Sequence, residues 1–376
     1  MWDFTNRLGT LANPVSGALK QALESLEAGE NWALAPTYAD ENEYMLKPSI
    51  KWGVKEGSFC HHTELFGPVL SVMCAKDLKH AIEIVNATGY GLTSGIESLD
   101  EREVAYWRKH LKAGNLYINR GTTGAIVLRQ PFGGFGKSAV GSGRKAGIHN
   151  YITQFMEIED VAEPLLKHSH PHAFIHLIHG WKDGCDKGLY AGFKADFEKL
   201  SLAVGSYVEN VEATFSQEQD FAKVRGEDNL FKYLPLKRIA LRVSQDDGLF
   251  DVMSRIMASS IAQTSLHVSI EFGAQSSVIA FLYENKEMLL GKNDTMERED
   301  EETFVKCFET TDKIFYANAA RISPFVYESA AKKAKCIVRA KPLMEGRVEL
   351  LHYFAEQSIS HSYHRYGNLG ARGIKK

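Results

Sequence analysis

A chain of 376 residues, 44% apolar and 24% charged, has the composition of a folded protein and the length for two domains. Lys and Arg total 44 against 47 Asp and Glu, a net charge of −3, which gives no electrostatic reason to expect nucleic acid or an anionic membrane as partner. No apolar run approaches the roughly 20 residues that span a bilayer, and the start Met1-Trp2-Asp3-Phe4 lacks the basic and apolar regions of a signal peptide. The five cysteines are scattered and form no C-x-x-C pair, so reduced thiols in a soluble cytoplasmic protein are expected.

In chain order, Pro68 to Met73 is a short apolar run after a Gly-Pro break and reads as a buried strand. Leu78, Ala81, Ile82 and Val85 have helical spacing over residues 78–86, ahead of Gly89. Asn115 to Asn119 is strand-like again, entered through Gly114, and a glycine-rich loop runs from Gly133 to Gly147. Between about 159 and 228 the reading weakens: His168 to His172 is irregular, and a helical pattern follows from Asp196 through Phe221. The rhythm resumes with Arg238 to Val243 as strand, Leu249 to Ile261 as helix and Ser265 to Ile270 as strand, a βαβ unit. A second unit has Ile314 to Ala317 as strand, Pro324 to Lys333 as helix and Cys336 to Arg339 as strand, while acidic Glu297 to Glu302 reads as a solvated loop or helix start. Strands alternating with helices make the fold class α/β with a mainly parallel sheet.

Several motifs invite chemistry and fail on context. Gly136-Lys137-Ser138 is not a phosphate loop, because Pro131 stands where the pattern requires glycine. Gly141-Ser142-Gly143-Arg144-Lys145-Ala146 matches a dinucleotide pattern but follows a loop, not a strand. His168, His170, His172, His176 and His179 crowd together without carboxylates or cysteines at structural-zinc spacing, so a polar interdomain segment is the simpler reading. Cys60 precedes His61-His62, but a neighbouring histidine alone does not make a nucleophile. Two segments stand out. Glu64 and Phe66 sit immediately before a strand, where a carboxylate suits a ribose diol, though a capping Glu and a core Phe fit equally. Thr122-Thr123-Gly124-Ala125 is a run of small residues whose turn can point backbone N–H groups at an anion, or be an ordinary tight turn.

Glu64-Leu65-Phe66-Gly67-Pro68-Val69 and Pro131-Phe132-Gly133-Gly134 resemble two C-terminal signatures of the aldehyde dehydrogenase superfamily. The stretch Asn119 to Phe132, with Trp2 to Gly9 and Thr88 to Gly95, is similar to the L-glutamate γ-semialdehyde (1-pyrroline-5-carboxylate) dehydrogenases. Gly226 to Leu236, Gln357 to Ser360 and Tyr363 to Asn368 resemble the end of bifunctional proline utilization A proteins, where a degenerate aldehyde-dehydrogenase-like domain follows the active one. The resemblance implies residues 1–158 as the C-terminal part of a catalytic domain, 159–228 as linker and helical segment, and 229–376 as the degenerate α/β domain.

It further implies NAD as cofactor, with Glu64 on the nicotinamide ribose and Phe66 in the same contact region. Gly124 and Ala125 would anchor the substrate α-carboxylate and Phe132 would pack on its aliphatic chain. In this family the dinucleotide domain, the catalytic cysteine and an oxyanion-hole asparagine precede the segment matching Met1. The expectation is therefore the C-terminal half of an NAD-dependent L-glutamate γ-semialdehyde dehydrogenase of proline catabolism, inactive alone. Its implied partners are the semialdehyde, the upstream half of the enzyme, a proline dehydrogenase domain and an oligomeric assembly. The alternative is a non-catalytic assembly or scaffold module.

Overall fold

The computed structural model describes residues 9–39, 41–168 and 171–363. Residues 2–8 and 364–368 of the motifs above, with Ser169 and His170, lie outside them. The chain divides into two compact units, residues 1–90 with 98–112 and residues 91–97 with 113–376.

The first unit contains α1 (Gly17–Glu24), β1 (Asn31–Leu34), β2 (Ser49–Trp52), the short α2 (Phe59–His62), β3 (Val69–Val72), α3 (Leu78–Ala87) and α4 (Glu101–His110). Its sheet runs β1-β2-β3, with β2 antiparallel to β1 and parallel to β3. The α3 expected from apolar spacing starts where the Asp77 carboxylate accepts from His80 N–H at 2.8 Å, satisfying an orphan donor of the first turn. It buries Ile82 and Ile84. At its far end the Asn86 amide donates to His110 O (3.0 Å) and accepts from Lys112 N–H (2.9 Å), tying α3 to the end of α4. Leu34, Pro48, Ile50, Gly67, Pro68 and Leu70 line an apolar groove of ≈ 570 Å³.

The second unit holds two five-stranded sheets. One is formed by β4 (Thr93–Ile96), β5 (Asn115–Ile118), β6 (Gln219–Asp220), β7 (Glu227–Pro235) and β13 (Phe354–Ser362), in the order β4-β5-β13-β7-β6. β13 runs parallel to β5, Ser358 opposite Asn115, and antiparallel to β7. Residues from 115 and from 354 thus share one sheet. The other consists of β8 (Arg238–Val243), β9 (Ser265–Glu271), β10 (Thr295–Glu299), β11 (Lys313–Tyr316) and β12 (Cys336–Val338). Its order, β10-β9-β8-β11-β12 with every pair parallel, is the 3-2-1-4-5 arrangement of a doubly wound half, which bears out the α/β class. Crossover helices α7 (Leu249–Ile261), α8 (Ser277–Glu284) and α9 (Pro324–Lys332) pack on it, as do α5 (Ala173–Asp186) and α6 (Lys194–Asn210). Arg255 of α7 and Glu349, both fully buried, pair at 2.6 Å, and Glu349 also accepts from Tyr353 Oη at 3.1 Å.

Four local expectations change. β3 forms where the apolar run was seen but is not buried: Leu70 is exposed and Val69 and Val72 are only half-buried. α5 lies between His172 and Asp196, where no element was expected, because its buried stripe Phe174, Ile178, Trp181 and Cys185 is interrupted by histidines that mask the pattern. The helix expected to Phe221 ends in a π turn at Val211–Phe215, and Gln219–Asp220 then pairs with β7. Glu297–Glu299 is the end of β10 and not loop, and Asp300 caps the short helix Glu301–Phe304 by accepting from Thr303 N–H.

Candidate functional site

The loop after β5 is built by the strand beneath it. All four β5 residues are buried, and the strand ends at Asn119, which takes a left-handed φ of 55° to turn the chain out of the sheet. Residues 121–128 are exposed. Gly124 has φ 107°, a backbone region that L side chains rarely adopt. Its carbonyl is held by Tyr117 Oη, which donates at 2.9 Å. With the Gln130 amide turned to satisfy its neighbours, its nitrogen donates to the same carbonyl at 3.0 Å and its oxygen accepts from Arg120 Nη1 at 2.6 Å. Fixing the carbonyl fixes the peptide plane, so the orientation of the Ala125 N–H follows. Among the described residues, neither the Gly124 nor the Ala125 N–H donates within the chain. Such paired free donors suit an anion.

The loop closes through Gln130 N–H, which donates to Ile126 O at 2.7 Å, and Leu128 N–H, which donates to Gly147 O at 2.8 Å. Phe132, half-buried, exchanges both backbone bonds with Ala146. Gly134 has no alternative residue: a Cβ there would lie 2.4 Å from Ser138 O. That contact gives the Pro131-Phe132-Gly133-Gly134 pattern a physical reason.

Two arginines flank the loop, and their counter-charge comes from β7. Glu227 Oε2 accepts from Arg129 Nε at 3.0 Å and Nη2 at 2.5 Å, and lies 3.8 Å from Arg120. Asn229 Nδ2 donates to the same oxygen at 3.2 Å. Burial pushes the Glu227 carboxyl up, but the bonds from Arg129 and Asn229 and the arginine charges outweigh it and hold it below the usual range. Ser360 of β13 accepts from Arg120 Nη1 at 2.6 Å and donates to Asn229 Oδ1 at 2.9 Å. Sequence reasoning gave Arg120, Arg129, Glu227 and Ser360 no roles. The available signal was two arginines in an otherwise uncharged loop, which need a carboxylate from elsewhere in the chain.

Glu64 and Phe66 belong to the first unit, in the segment between α2 and β3. Glu64 is exposed, and no donor among the described residues reaches its carboxylate. Phe66 is 84% exposed with φ 47°, so it is not the core residue that the plainer reading allowed. A free carboxylate and an exposed ring fit a ribose and its neighbouring group.

The doubly wound sheet does not offer the second unit a phosphate cradle. At the turn after β8, where a pyrophosphate would meet the first helix, Asp247 accepts from Ser244 N–H at 2.7 Å and pairs with Arg321 at 3.7 Å. Burial pushes the carboxyls of Asp247 and of Asp251 in α7 up. Built-in carboxylates occupy the anion's place. Of the histidines, His172 accepts from Phe174 N–H as the cap of α5, and no metal-holding group of His, Cys, Asp or Glu occurs among the described residues. No helix among them is long and apolar enough to cross a membrane.

Residues 8–161 match the model of the aldehyde dehydrogenase family. The 1-pyrroline-5-carboxylate dehydrogenase of Geobacillus thermodenitrificans (strain NG80-2) is 36% identical over 159 residues, covering 41% of this chain and 30% of the relative. The protein of the same name from Bacillus thuringiensis (strain Al Hakam) is 37% identical over 163 residues, 42% and 31% of the two chains. Proline utilization A from Corynebacterium freiburgense superposes with a TM-score of 0.74 at 31% identity, over 95% of this chain and 32% of its own. The chain thus spans about 30% of the length of the curated relatives it matches. The motifs at 64–69 and 119–134, the α/β architecture and the match over 8–161 converge: this segment belongs to the aldehyde dehydrogenase family.

Proposed function

We propose that the chain is part of an NAD-dependent L-glutamate γ-semialdehyde dehydrogenase of proline catabolism, supplying the substrate anchor and ribose contacts of that enzyme. The observation that carries this reading is the resemblance to proline utilization A over 95% of the chain. In it, the Gly124 and Ala125 N–H groups bind the substrate α-carboxylate, and Phe132 packs on the aliphatic chain between carboxylate and aldehyde. Each backbone donor to a carboxylate is worth roughly 1.5–3 kcal/mol. Glu64 accepts from the nicotinamide ribose hydroxyls, and Phe66 lines the same contact. NAD, when bound, supplies the hydride acceptor. This reading assigns no cysteine of residues 1–376 as nucleophile and none of its loops as a dinucleotide cradle, so the chain alone is expected not to turn over aldehyde.

The assembly reading applies to the second half, through a specific contact: Glu227 and Ser360 hold the arginines that flank the anchor loop. Residues 227–376 then serve as a support for the loop rather than as a second catalytic centre. The test is a Glu64→Gln variant of the enzyme completed with a cysteine-bearing aldehyde dehydrogenase segment. Raised KM for NAD with the semialdehyde and a simple aldehyde alike supports the ribose role; unchanged NAD kinetics removes it.

A further inference from the structure

The first unit contains a buried lysine–glutamate pair beside a thiol, a trio that the proposed function does not use. Lys51 points inward from β2, its side chain 1% exposed. Its Nζ donates to Ala22 O at 2.7 Å and Ser25 O at 2.8 Å, at the carbonyl end of α1, and lies 5.0 Å from the Trp32 ring centroid. Glu30 Oε2 is 3.4 Å away, and the Glu30 side chain is 2% exposed. Glu30 Oε1 is buried without a hydrogen-bond partner. The remaining neighbour is sulfur: Cys60 Sγ of α2 lies 3.5 Å from Lys51 Nζ. Cys60 is a free, partly exposed thiol.

We propose that Lys51 and Cys60 form an oxidative cross-link, a direct Sγ–Nζ sulfenamide, when the protein meets a hydroperoxide. In the first step Cys60 thiol and hydrogen peroxide give the sulfenic acid and one water; sulfur loses two electrons and the O–O bond is reduced. In the second, the Lys51 ammonium passes a proton to the Glu30 carboxylate. The free amine pair attacks sulfur, the S–O bond breaks, and hydroxide leaves as water with the proton returned from Glu30. The nitrogen, still cationic after attack, then loses a proton to solvent, so sulfenic acid and ammonium give sulfenamide, one water and one released proton. The net change is the loss of two hydrogens from the pair.

Sulfenic acids condense with nitrogen in this way when a nitrogen is held close. At 3.5 Å the two atoms are already at the edge of the near-attack range. Two carbonyls pin the amine, so it cannot swing away, and partial exposure of Cys60 gives peroxide a path to sulfur. Glu30 Oε2, 3.4 Å from Lys51 Nζ, is the acceptor the amine needs to become nucleophilic. Of the other thiols, Cys185 donates to Tyr190 O and Cys74 is exposed.

The experiment treats the full chain with hydrogen peroxide, blocks residual thiols with iodoacetamide and digests with trypsin without reductant. Lys55 lies between the two residues, so cleavage there separates their peptides unless they are linked. The expected product joins the Lys51 and Cys60 peptides, is uncleaved at Lys51, weighs two hydrogens less than their sum, and is released by dithiothreitol. The same treatment in urea lowers its yield by about tenfold or more, because the held geometry is gone. Lys51→Met abolishes the link and leaves a Cys60 sulfenic acid that dimedone traps. If that variant does not fold, the native-against-urea comparison on the unaltered chain decides. Recovery of Cys60 only as sulfinic or sulfonic acid, a link containing an added oxygen, or equal yield in urea overturns the proposal.

Discussion

Replacing Gly124 by valine tests the anchor loop at its most constrained position. A β-branched residue at φ 107° carries a backbone penalty of roughly 1–3 kcal/mol. The built Cβ meets only the end of the Gln130 side-chain amide, at 3.7 Å, so the cost is conformational and not a collision. The loop cannot relax cheaply, because turning the peptide breaks the bonds from Tyr117 Oη and Gln130 to the Gly124 carbonyl. Turning that peptide redirects the Ala125 N–H away from the anion. Losing one charge-assisted bond of about 1.5–3 kcal/mol raises KM for the semialdehyde roughly tenfold to hundredfold. An aldehyde without the carboxylate never used that bond and changes far less. The assay is kcat/KM for both aldehydes in the enzyme completed with a cysteine-bearing segment. Equal loss for the two would refute the anchor and leave a structural turn.

Glu227→Gln keeps the shape but removes the charge facing Arg129 and Arg120. Hydrogen exchange at residues 121–128 should quicken, and KM for the semialdehyde should rise several-fold; unchanged exchange rules out support from β7. Arg255→Met strands the fully buried Glu349 carboxylate, and urea unfolding should show a loss of about 3–5 kcal/mol, against near neutrality if the pair is dispensable. Burial pushes the Lys145 ammonium down to about 7 from 10.5, so between those values the unfolded chain binds the extra proton and stability climbs with pH. That contribution, at most roughly 5 kcal/mol, is fully present above 10.5 and lost as pH falls through about 7. Lys313, pushed down to about 8 by burial, acts in the same direction. Lys145→Met should flatten the rise in unfolding free energy between pH 7 and 10; an unchanged slope contradicts the assignment.

Four of the five strands of the second sheet were legible in the sequence because strands buried on both faces of a parallel sheet are near-continuous apolar runs, as in Ile239-Ala240-Leu241, whereas the charged β10 was not. β13 was not. Its buried Glu356, Gln357, Ser358 and Ser360 look like a surface segment until their distant partners are known. Ser358 Oγ donates to Pro131 O, and Asn150 donates to Glu356. The anchor loop shows the same limit. Gly124 and Ala125 could be singled out as small residues in a turn, whereas Glu227 is paired with Arg129 across 98 positions, and local spacing contains no trace of that. Phe66 was ambiguous for another reason: periodicity does not distinguish a core aromatic from one that leaves the surface through a left-handed turn.

The most direct test follows NAD reduction with L-glutamate γ-semialdehyde, first with the purified chain and then with the chain completed by a cysteine-bearing aldehyde dehydrogenase segment. The account predicts no turnover by the chain alone and turnover in the combination that falls with Gly124→Val. Turnover by the chain alone that persists after all five cysteines are replaced by serine would contradict it.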